Sequence, residues 1–102
     1  MTKFEGQPVD LSETVPGFPE LKPEVQKLLQ EIATNTFEVG AELTLIQRDA
    51  VNAPLYRNAA EGIVADKLVP RVILAAQQGI GEDLIRATIT QGFSVAGTIK
   101  PH

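Results

Sequence analysis

The sequence predicts an all-α protein: a compact bundle of about five short helices, preceded by an extended N-terminal arm. Apolar residues recur at helical spacing through most of the chain after residue 22, which is the pattern of amphipathic helices. Proline and glycine stand where such helices begin and end. The hydrophobic content of 43% is mostly small aliphatic, with four Phe, one Tyr and no Trp, and such side chains suit closely packed helices. The predicted organisation is an arm over 1–22, a helical domain over 23–97 and a tail over 98–102.

The arm is predicted from its helix-breaking residues. Residues 1–22 contain three of the seven prolines and two of the eight glycines, which favours an extended chain over a helix. A disordered tail is the alternative interpretation. Val15, Phe18 and Leu21 are apolar, which would allow the second half of the arm to lie across a neighbouring surface.

The first helix is predicted to begin at Pro23, because proline is favoured in the first turn. Apolar residues then follow at i, i+3, i+4 and i+7, with polar residues on the opposite face. These apolar residues are Val25, Leu28, Leu29 and Ile32.

A second helix is predicted to be capped by Asn35 or Thr36. Residues 37–45 alternate in polarity as a strand would, but Val39 and Leu43 also fit one face of a helix. No second strand is evident for pairing, so the helix is favoured.

The third predicted helix is capped by Asn52, carries Pro54 in its first turn and extends toward Leu68. Pro70 leaves two alternatives, because proline disrupts the interior of a helix. Either it kinks one long helix, or a new helix opens at Arg71.

Two glycines are predicted to end the last two helices. Gly79 and Gly92 are each followed by an apolar residue, which is the pattern of a left-handed residue closing a helix. Between them, Glu82 and Asp83 follow Gly81 and indicate a helix start with two acids in its first turn. The short link makes these two helices antiparallel or steeply crossed neighbours.

Composition narrows the partners. The net charge of −4 and pI near 4.9 argue against nucleic acid, which needs a basic surface. No segment approaches the roughly 20 apolar residues that span a bilayer, and the N-terminus lacks the apolar core of a signal peptide. With no Cys and a single terminal His102, we expect a cytoplasmic protein without a metal site or cofactor. A chain of 102 residues is marginally stable alone, so oligomerisation is expected to help.

A catalytic triad is excluded, because the chain has no Cys and no internal His. The remaining candidates are polar residues of the central helices, which could equally form a solvated face with stray ion pairs. The sharper hypothesis places an arginine in a cleft, where its donor fork holds an acidic small molecule. Arg71 is the most suggestive, because an internal acid or a ligand must meet it if it is buried. The group is Arg48, Asn52, Tyr56, Arg57, Asp66, Lys67 and Arg71.

Three stretches resemble the carboxymuconolactone decarboxylase family, the helical group that includes alkylhydroperoxidase D-type proteins. The first is Pro-Glu-Leu-Lys-Pro-Glu over 19–24, and the second is Leu-Thr-Leu-Ile-Gln-Arg over 43–48. The third is Ala-Ala-Gln-Gln-Gly-Ile-Gly-Glu-Asp-Leu-Ile over 75–85, followed by the segment 90–97 that ends in Ala-Gly. Together they span roughly residues 19–97 in the family's order.

The resemblance implies a pocket between helices at a subunit interface, in a trimer or hexamer, acting on an acidic or lactone-type metabolite. It does not bring the family's usual chemistry. At the positions of the redox branch's two Cys and its His, this chain has Val64, Lys67 and Arg71. Thiol peroxidase activity is therefore excluded. Arginine cannot serve as a general acid or base near neutral pH, although it can stabilise a carboxylate or enolate.

These observations leave three functional hypotheses. The leading one is a decarboxylase-like enzyme or binder of an acidic small molecule. The alternative is a non-catalytic homo-oligomeric interaction module on the same fold. The third is a helical carrier whose functional part is the tail, residues 92–102. For the first, the catalytic candidates are Arg71, Lys67 and Tyr56; the substrate-binding candidates are Arg48, Asn52 and Phe93.

Overall fold

Helices account for most of the chain that the computed structural model describes, which is residues 9, 11, 12 and 14–97. A 3₁₀ turn at Phe18–Glu20 precedes helix α1, Pro23–Arg48. Helix α2, Ala53–Ile63, leads into a π turn, Val64–Leu68, and then into α3, Val69–Gln77. Helix α4 is Glu82–Gly97. No strand occurs among these residues, so the all-α prediction is confirmed. The terminal segment 98–102, with His102, lies outside the described residues.

The helices are fewer and longer than predicted. Helix α2, the π turn and α3 follow one another without interruption, so residues 53–77 form one rod. With α1 and α4, this makes three long helices in the described chain, and the predicted count of about five short helices is not confirmed. The predicted number and lengths of the helices differ from the structure because residues that commonly mark helix ends lie here within helices.

The predicted caps at Asn35 and Thr36 lie in the interior of α1. The Thr36 hydroxyl donates to the carbonyl of Ile32 at 2.8 Å, a bond that side chains of this kind make within helices. The Asn35 amide donates to Glu38 at 3.2 Å. Because both side chains find partners inside the helix, α1 continues through them, and the helical interpretation of residues 37–45 is confirmed.

At Pro70 the long-helix alternative is the one observed. Proline lacks the N–H that a regular helix needs, and the turn that precedes it is widened. The backbone N–H of Val69 donates to the carbonyl of Val64, five residues earlier. A π turn of this kind absorbs the disruption that proline makes in the regular hydrogen-bond ladder. The rod therefore passes through Pro70 without ending.

The described part of the arm packs on the helical domain of its own chain. Val9, Leu11, Val15 and Phe18 are buried in the same apolar cluster as the helices. Two glutamines of α1 fasten it: Gln26 donates to the carbonyls of Phe18, Pro19 and Leu21 at 3.0–3.2 Å, and Gln30 donates to that of Val9 at 3.1 Å. The surface across which this segment lies is thus α1.

The close approach of α1 and α4 depends on two glycines. A methyl group at Gly92 would lie 2.7 Å from the Cβ of Thr36 and 2.8 Å from the carbonyl oxygen of Ala33. A methyl group at Gly40 would lie 2.5 Å from the Cβ of Ala96. Both separations are shorter than van der Waals contact allows, so only glycine lets the two helices lie this close.

The two predicted glycine stops therefore have opposite outcomes. Gly79 has a φ of 83°, and the N–H groups of Gly79 and Ile80 donate to Ala76 and Ala75 at 3.1 Å each, which is the Schellman pattern. That stop is confirmed. The stop at Gly92 is wrong, because α4 runs on to Gly97. Gly92 serves helix packing instead of a turn.

The contacts also fix the helix directions. Gly92 faces Ala33 while Ala96 faces Gly40, so α4 runs parallel to α1. Tyr56 is hydrogen-bonded to Asp49 and Arg71 to Glu31, so the continuous helix over residues 53–77 runs antiparallel to α1. Helices α3 and α4 therefore run in opposite directions, which corresponds to the antiparallel one of the two predicted arrangements. The longest dimension, 44 Å, matches the roughly 39 Å of a 26-residue helix.

The described part of α4 reaches the level of Gly40, where Ala96 approaches it, and α1 continues for about two further turns beyond that level. Beyond that level the described chain consists of two helices instead of three. We call residues 41–60, which comprise the end of α1, the connecting turn and the start of α2, the tip.

Candidate functional site

Arg71 bridges α3 and the middle of α1. Its guanidinium donates to the carboxylate of Glu31 at 3.4 Å, to the side-chain oxygen of Asn35 at 3.3 Å and to the carbonyl of Lys67 at 3.2 Å. The side chains of Arg71 and Glu31 are 34% and 41% exposed. The expectation that an internal acid or a ligand must meet Arg71 is resolved by an internal acid.

Lys67, the second catalytic candidate, is exposed on the π turn. Its backbone carbonyl accepts the hydrogen bond from Arg71. Its ammonium has no ion-pair or hydrogen-bond partner within the described chain.

Tyr56 and Asn52 belong to a second polar group, in the turn between α1 and α2. The Tyr56 hydroxyl donates to the carboxylate of Asp49 at 3.0 Å, and the Asn52 amide donates to the same oxygen at 2.8 Å. Asn52 stands at the start of α2 as predicted, but its side chain makes no capping bond to the helix. Its amide is committed to Asp49, which closes the turn.

The electrostatics of this turn follow from those two hydrogen bonds. Donation from the side chains of Asn52 and then Tyr56 holds the pKa of the Asp49 carboxyl below its ordinary value of 3.8. The same bond to Asp49 raises the pKa of Tyr56 above its ordinary value of 10.0, with smaller contributions from desolvation and from the charges of Asp49 and Glu42. Tyr56 is therefore protonated and Asp49 ionised at neutral pH. The tyrosine hydroxyl is engaged as a donor.

The predicted site residues do not converge. Asn35, which accepts from Arg71, and Asp49, which accepts from Tyr56, are fourteen residues apart on α1 and its cap, which corresponds to about 21 Å along a helix. Arg48 is exposed at the end of α1, and Phe93, 42% exposed, lies against Gly40. A single small molecule could not contact both hydrogen-bonded groups.

The tip carries a feature that the sequence reasoning missed, a group of large exposed aliphatic side chains. Val51 is 88% exposed, Leu55 65% and Leu43 44%, with Leu45 also exposed and Phe93 adjacent on α4. Leu43 was predicted to share one helix face with Val39; Val39 is buried, whereas Leu43 is exposed. This exposure could have been predicted only from the relative lengths of the helices, and those lengths were predicted too short. The other large exposed apolar side chains are Val69, Ile73 and Leu74 on α3.

The tip also holds charges of both signs that form no ion pair within the described chain. Arg48 and Arg57 are exposed, and Glu42 is half-buried. Arg57 and Glu61, four residues apart on α2, do not form an ion pair; the ion pairs of the described chain are Arg71–Glu31 and Arg86–Glu82. Arg57 is thus available to a partner outside its own chain.

Comparison of the chain with protein-family models, with curated proteins and with solved structures finds no match in any of the three. Among the described residues, no helix is both long enough and apolar enough to cross a membrane. No group of three or more acidic or histidine side chains comes together there in a way that could hold a metal ion.

Proposed function

We propose that this chain is a homo-oligomeric interaction module whose tip binds a second copy of the chain. The observation that carries the proposal is the composition of the tip: four large aliphatic side chains are exposed there, on a segment where the described chain has two helices instead of three. Apolar patches with polar rims are typical of protein–protein contacts. A chain of this size also benefits from burying further apolar surface through association.

The decarboxylase-like hypothesis stays a prediction. Arg71 would first have to exchange Glu31 and Asn35 for a substrate carboxylate, and Tyr56 would have to act about 21 Å away from it. The trimer or hexamer that the resemblance implies also stays a prediction. The carrier hypothesis depends in part on residues 98–102, outside the described chain; residues 92–97 belong to α4.

The test measures molecular mass in solution by sedimentation equilibrium and by native mass spectrometry, from low to high micromolar concentration. We expect the wild-type chain to associate. We expect Leu55→Glu to weaken association at least about tenfold, because a charge replaces an aliphatic side chain that the association would bury. A tenfold change in affinity corresponds to about 1.4 kcal/mol.

Ile73→Glu is the matched control. It makes the same kind of change at a side chain 51% exposed on the same rod but outside the tip, and we expect association to be unchanged. A wild-type chain that is monomeric at every concentration contradicts the proposal. A small molecule retained in the native mass spectrum would instead favour the binder hypothesis.

A further inference from the structure

The described part of the N-terminal arm is fastened to one turn of α1 at both of its ends. At its start, the side-chain amide of Gln30 donates to the carbonyl of Val9 at 3.1 Å. At its end, the side-chain amide of Gln26 donates at 3.0–3.2 Å to the carbonyls of Phe18, Pro19 and Leu21. Gln26 and Gln30 lie four residues apart on α1, about 6 Å along its axis. The chain between these ends therefore forms a compact loop on the bundle, and we call its described residues, 9, 11, 12 and 14–21, the strap.

The strap has backbone hydrogen bonds of its own. Its N–H groups at Val15, Phe18 and Leu21 donate at 3.0–3.1 Å to carbonyls three or four positions earlier in the strap. The same spacing places apolar side chains on one side of the strap: Leu11, Val15 and Phe18 are 0–8% exposed. The described residues between them are exposed. The strap therefore presents one apolar side to the bundle, and its turns are closed by hydrogen bonds that do not require the bundle.

A short extended joint connects the strap to α1. Leu21 and Lys22 have ψ angles of 155° and 147°, and the helix begins directly after them at Pro23. The N–H of Gln26 donates to the carbonyl of Lys22 at 2.9 Å, so the hydrogen bonds of α1 lie beyond the joint. Rotation of the strap away from the bundle at this joint would break the glutamine bonds and the apolar contacts. The backbone hydrogen bonds of α1 would stay intact.

We infer that the bundle holds the strap as a groove holds a peptide ligand, and that the strap opens as a unit while the helices remain folded. Peptide recognition commonly combines hydrogen bonds to the main chain with pockets for apolar side chains, and the strap is held by both. The groove under the strap is thus a binding site for an apolar peptide segment, and the strap occupies it and controls access to it. The inference is independent of the proposed self-association, because the strap lies at the start of α1 and the tip at its other end.

The first test is native-state hydrogen exchange of the intact chain, measured by NMR at single amides. The hydrogen-bonded strap amides of Val15 and Phe18 are compared with the amides of Ile32 and Ile85, which are buried in helices. Gly92→Ala strains the contact between α1 and α4. If the strap opens while the helices stay folded, this strain is present in both the closed and the open form, so strap exchange should stay within about twofold of wild type. Exchange at the helix amides requires the helices to unfold and should accelerate at least about fivefold.

Equal acceleration of both groups of amides would overturn the inference, because the strap and the helices would then open together. A second variant tests the fastening. Gln26→Ala should accelerate strap exchange about threefold or more, since three carbonyls lose their donor. Gln47→Ala, also on α1 but exposed, is the matched control and should leave strap exchange unchanged. Equal effects of the two glutamine variants would contradict the role of Gln26.

The second test supplies the strap as a separate peptide. Val15→Glu places a charge at a strap position that is 2% exposed, which should detach the strap and leave the groove open. We expect this variant to keep its helical circular dichroism and to bind a fluorescently labelled peptide of residues 9–21, measured by fluorescence anisotropy. The wild-type chain should bind the peptide at least about tenfold more weakly, because its own strap competes at an effective concentration of the order of millimolar. The same peptide carrying V15E is the control and should not bind.

Three results would overturn the peptide groove. Loss of helical structure in Val15→Glu would show that the helices need the strap in order to fold. A folded variant that does not bind the peptide would show that the strap does not occupy a separable site. Equal binding of the peptide by the wild-type chain and the variant would show that the peptide binds elsewhere.

Discussion

Replacing Gly92 by alanine tests the close contact between α1 and α4. The added methyl group would lie 2.8 Å from the carbonyl oxygen of Ala33 and 2.7 Å from the Cβ of Thr36. Neither atom can rotate away, because one belongs to the backbone and the other is attached to it. The helices must separate by roughly half an ångström, and the side chains between them must repack.

The sign of the effect is set by two opposing contributions. Overpacking of a tight core costs typically about 1–3 kcal/mol, whereas exchanging glycine for alanine inside a helix contributes about 0.8–1 kcal/mol in favour of folding. The difference of those terms spans about 0–2 kcal/mol. Because the overlap is with a backbone oxygen and a Cβ that cannot move aside, we expect Gly92→Ala to lower the free energy of unfolding by the upper half of that range, about 1–2 kcal/mol. In a domain of this size, that corresponds to a fall of about 5–10 °C in the thermal midpoint.

Gly62→Ala is the matched control, because a methyl group there meets nothing within 4 Å. It gains the helical preference without the overlap, so we expect stability to rise by about 0.4–1 kcal/mol. Thermal unfolding followed by circular dichroism, at one protein concentration for all variants, compares the two. Equal stabilisation by both substitutions would refute the close approach of α1 and α4.

A double-mutant cycle at the second contact extends the test. Gly40→Ala alone overlaps with the Cβ of Ala96 at 2.5 Å, and Ala96→Gly alone loses helical preference and packing. Together they move the methyl group from one helix to the other. We expect a coupling free energy of about 1 kcal/mol or more in favour of the double variant, whereas independent effects would show that the two positions do not touch.

Two further predictions concern the polar groups. Arg71→Ala removes the donor to the side-chain oxygen of the buried Asn35 as well as an ion pair. Chemical denaturation should therefore show that the free energy of unfolding falls by about 1–2 kcal/mol, against less than about 0.5 kcal/mol for Arg86→Ala in its exposed pair. Equal losses for the two variants would contradict a role for the buried acceptor. The stability gap between wild type and Tyr56→Phe should be largest near neutral pH. This gap should narrow as pH falls below 3.8, because the lowered pKa of Asp49 contributes stability only while that carboxyl is ionised. It should narrow again as pH rises above 10.0, because the raised pKa of Tyr56 contributes stability only while its hydroxyl is protonated. A gap that does not change with pH in thermal unfolding would show that this hydrogen bond does not stabilise the fold.

Local signals predicted helix starts well, because those starts are decided by a few neighbouring residues. Pro23 begins α1, Asn52 immediately precedes α2, and Glu82 begins α4. The stop at Gly79 was predictable for the same reason, since a positive φ after the last turn strongly favours glycine. Each of these features depends on backbone geometry within about one helical turn.

Tertiary contacts decided the elements that were predicted wrongly. Gly92 has the sequence signature of a helix stop, but its missing side chain is required by Ala33 and Thr36 of α1, which lie 59 and 56 positions earlier in the chain. Asn35 looked like a cap because it is a poor residue for a helix interior. Its carbonyl oxygen is satisfied by Arg71, thirty-six residues later. Neither partner could be identified before the relative positions of the helices were known.

The candidate site was harder to predict than the fold because residue type does not disclose a partner. Arg71 met the acid that physical chemistry requires of a partly buried guanidinium, and that acid was Glu31 in the same chain. The tip shows the converse: ordinary aliphatic residues at helical spacing are exposed where α1 extends beyond the described part of α4. Association should therefore cover the groups of the tip that have no partner within the described chain, such as the exposed side chains of Leu55 and Arg57. Charged groups that are partly buried and already hydrogen-bonded within the chain should behave differently: their substitution should change the stability of the fold without changing its assembly.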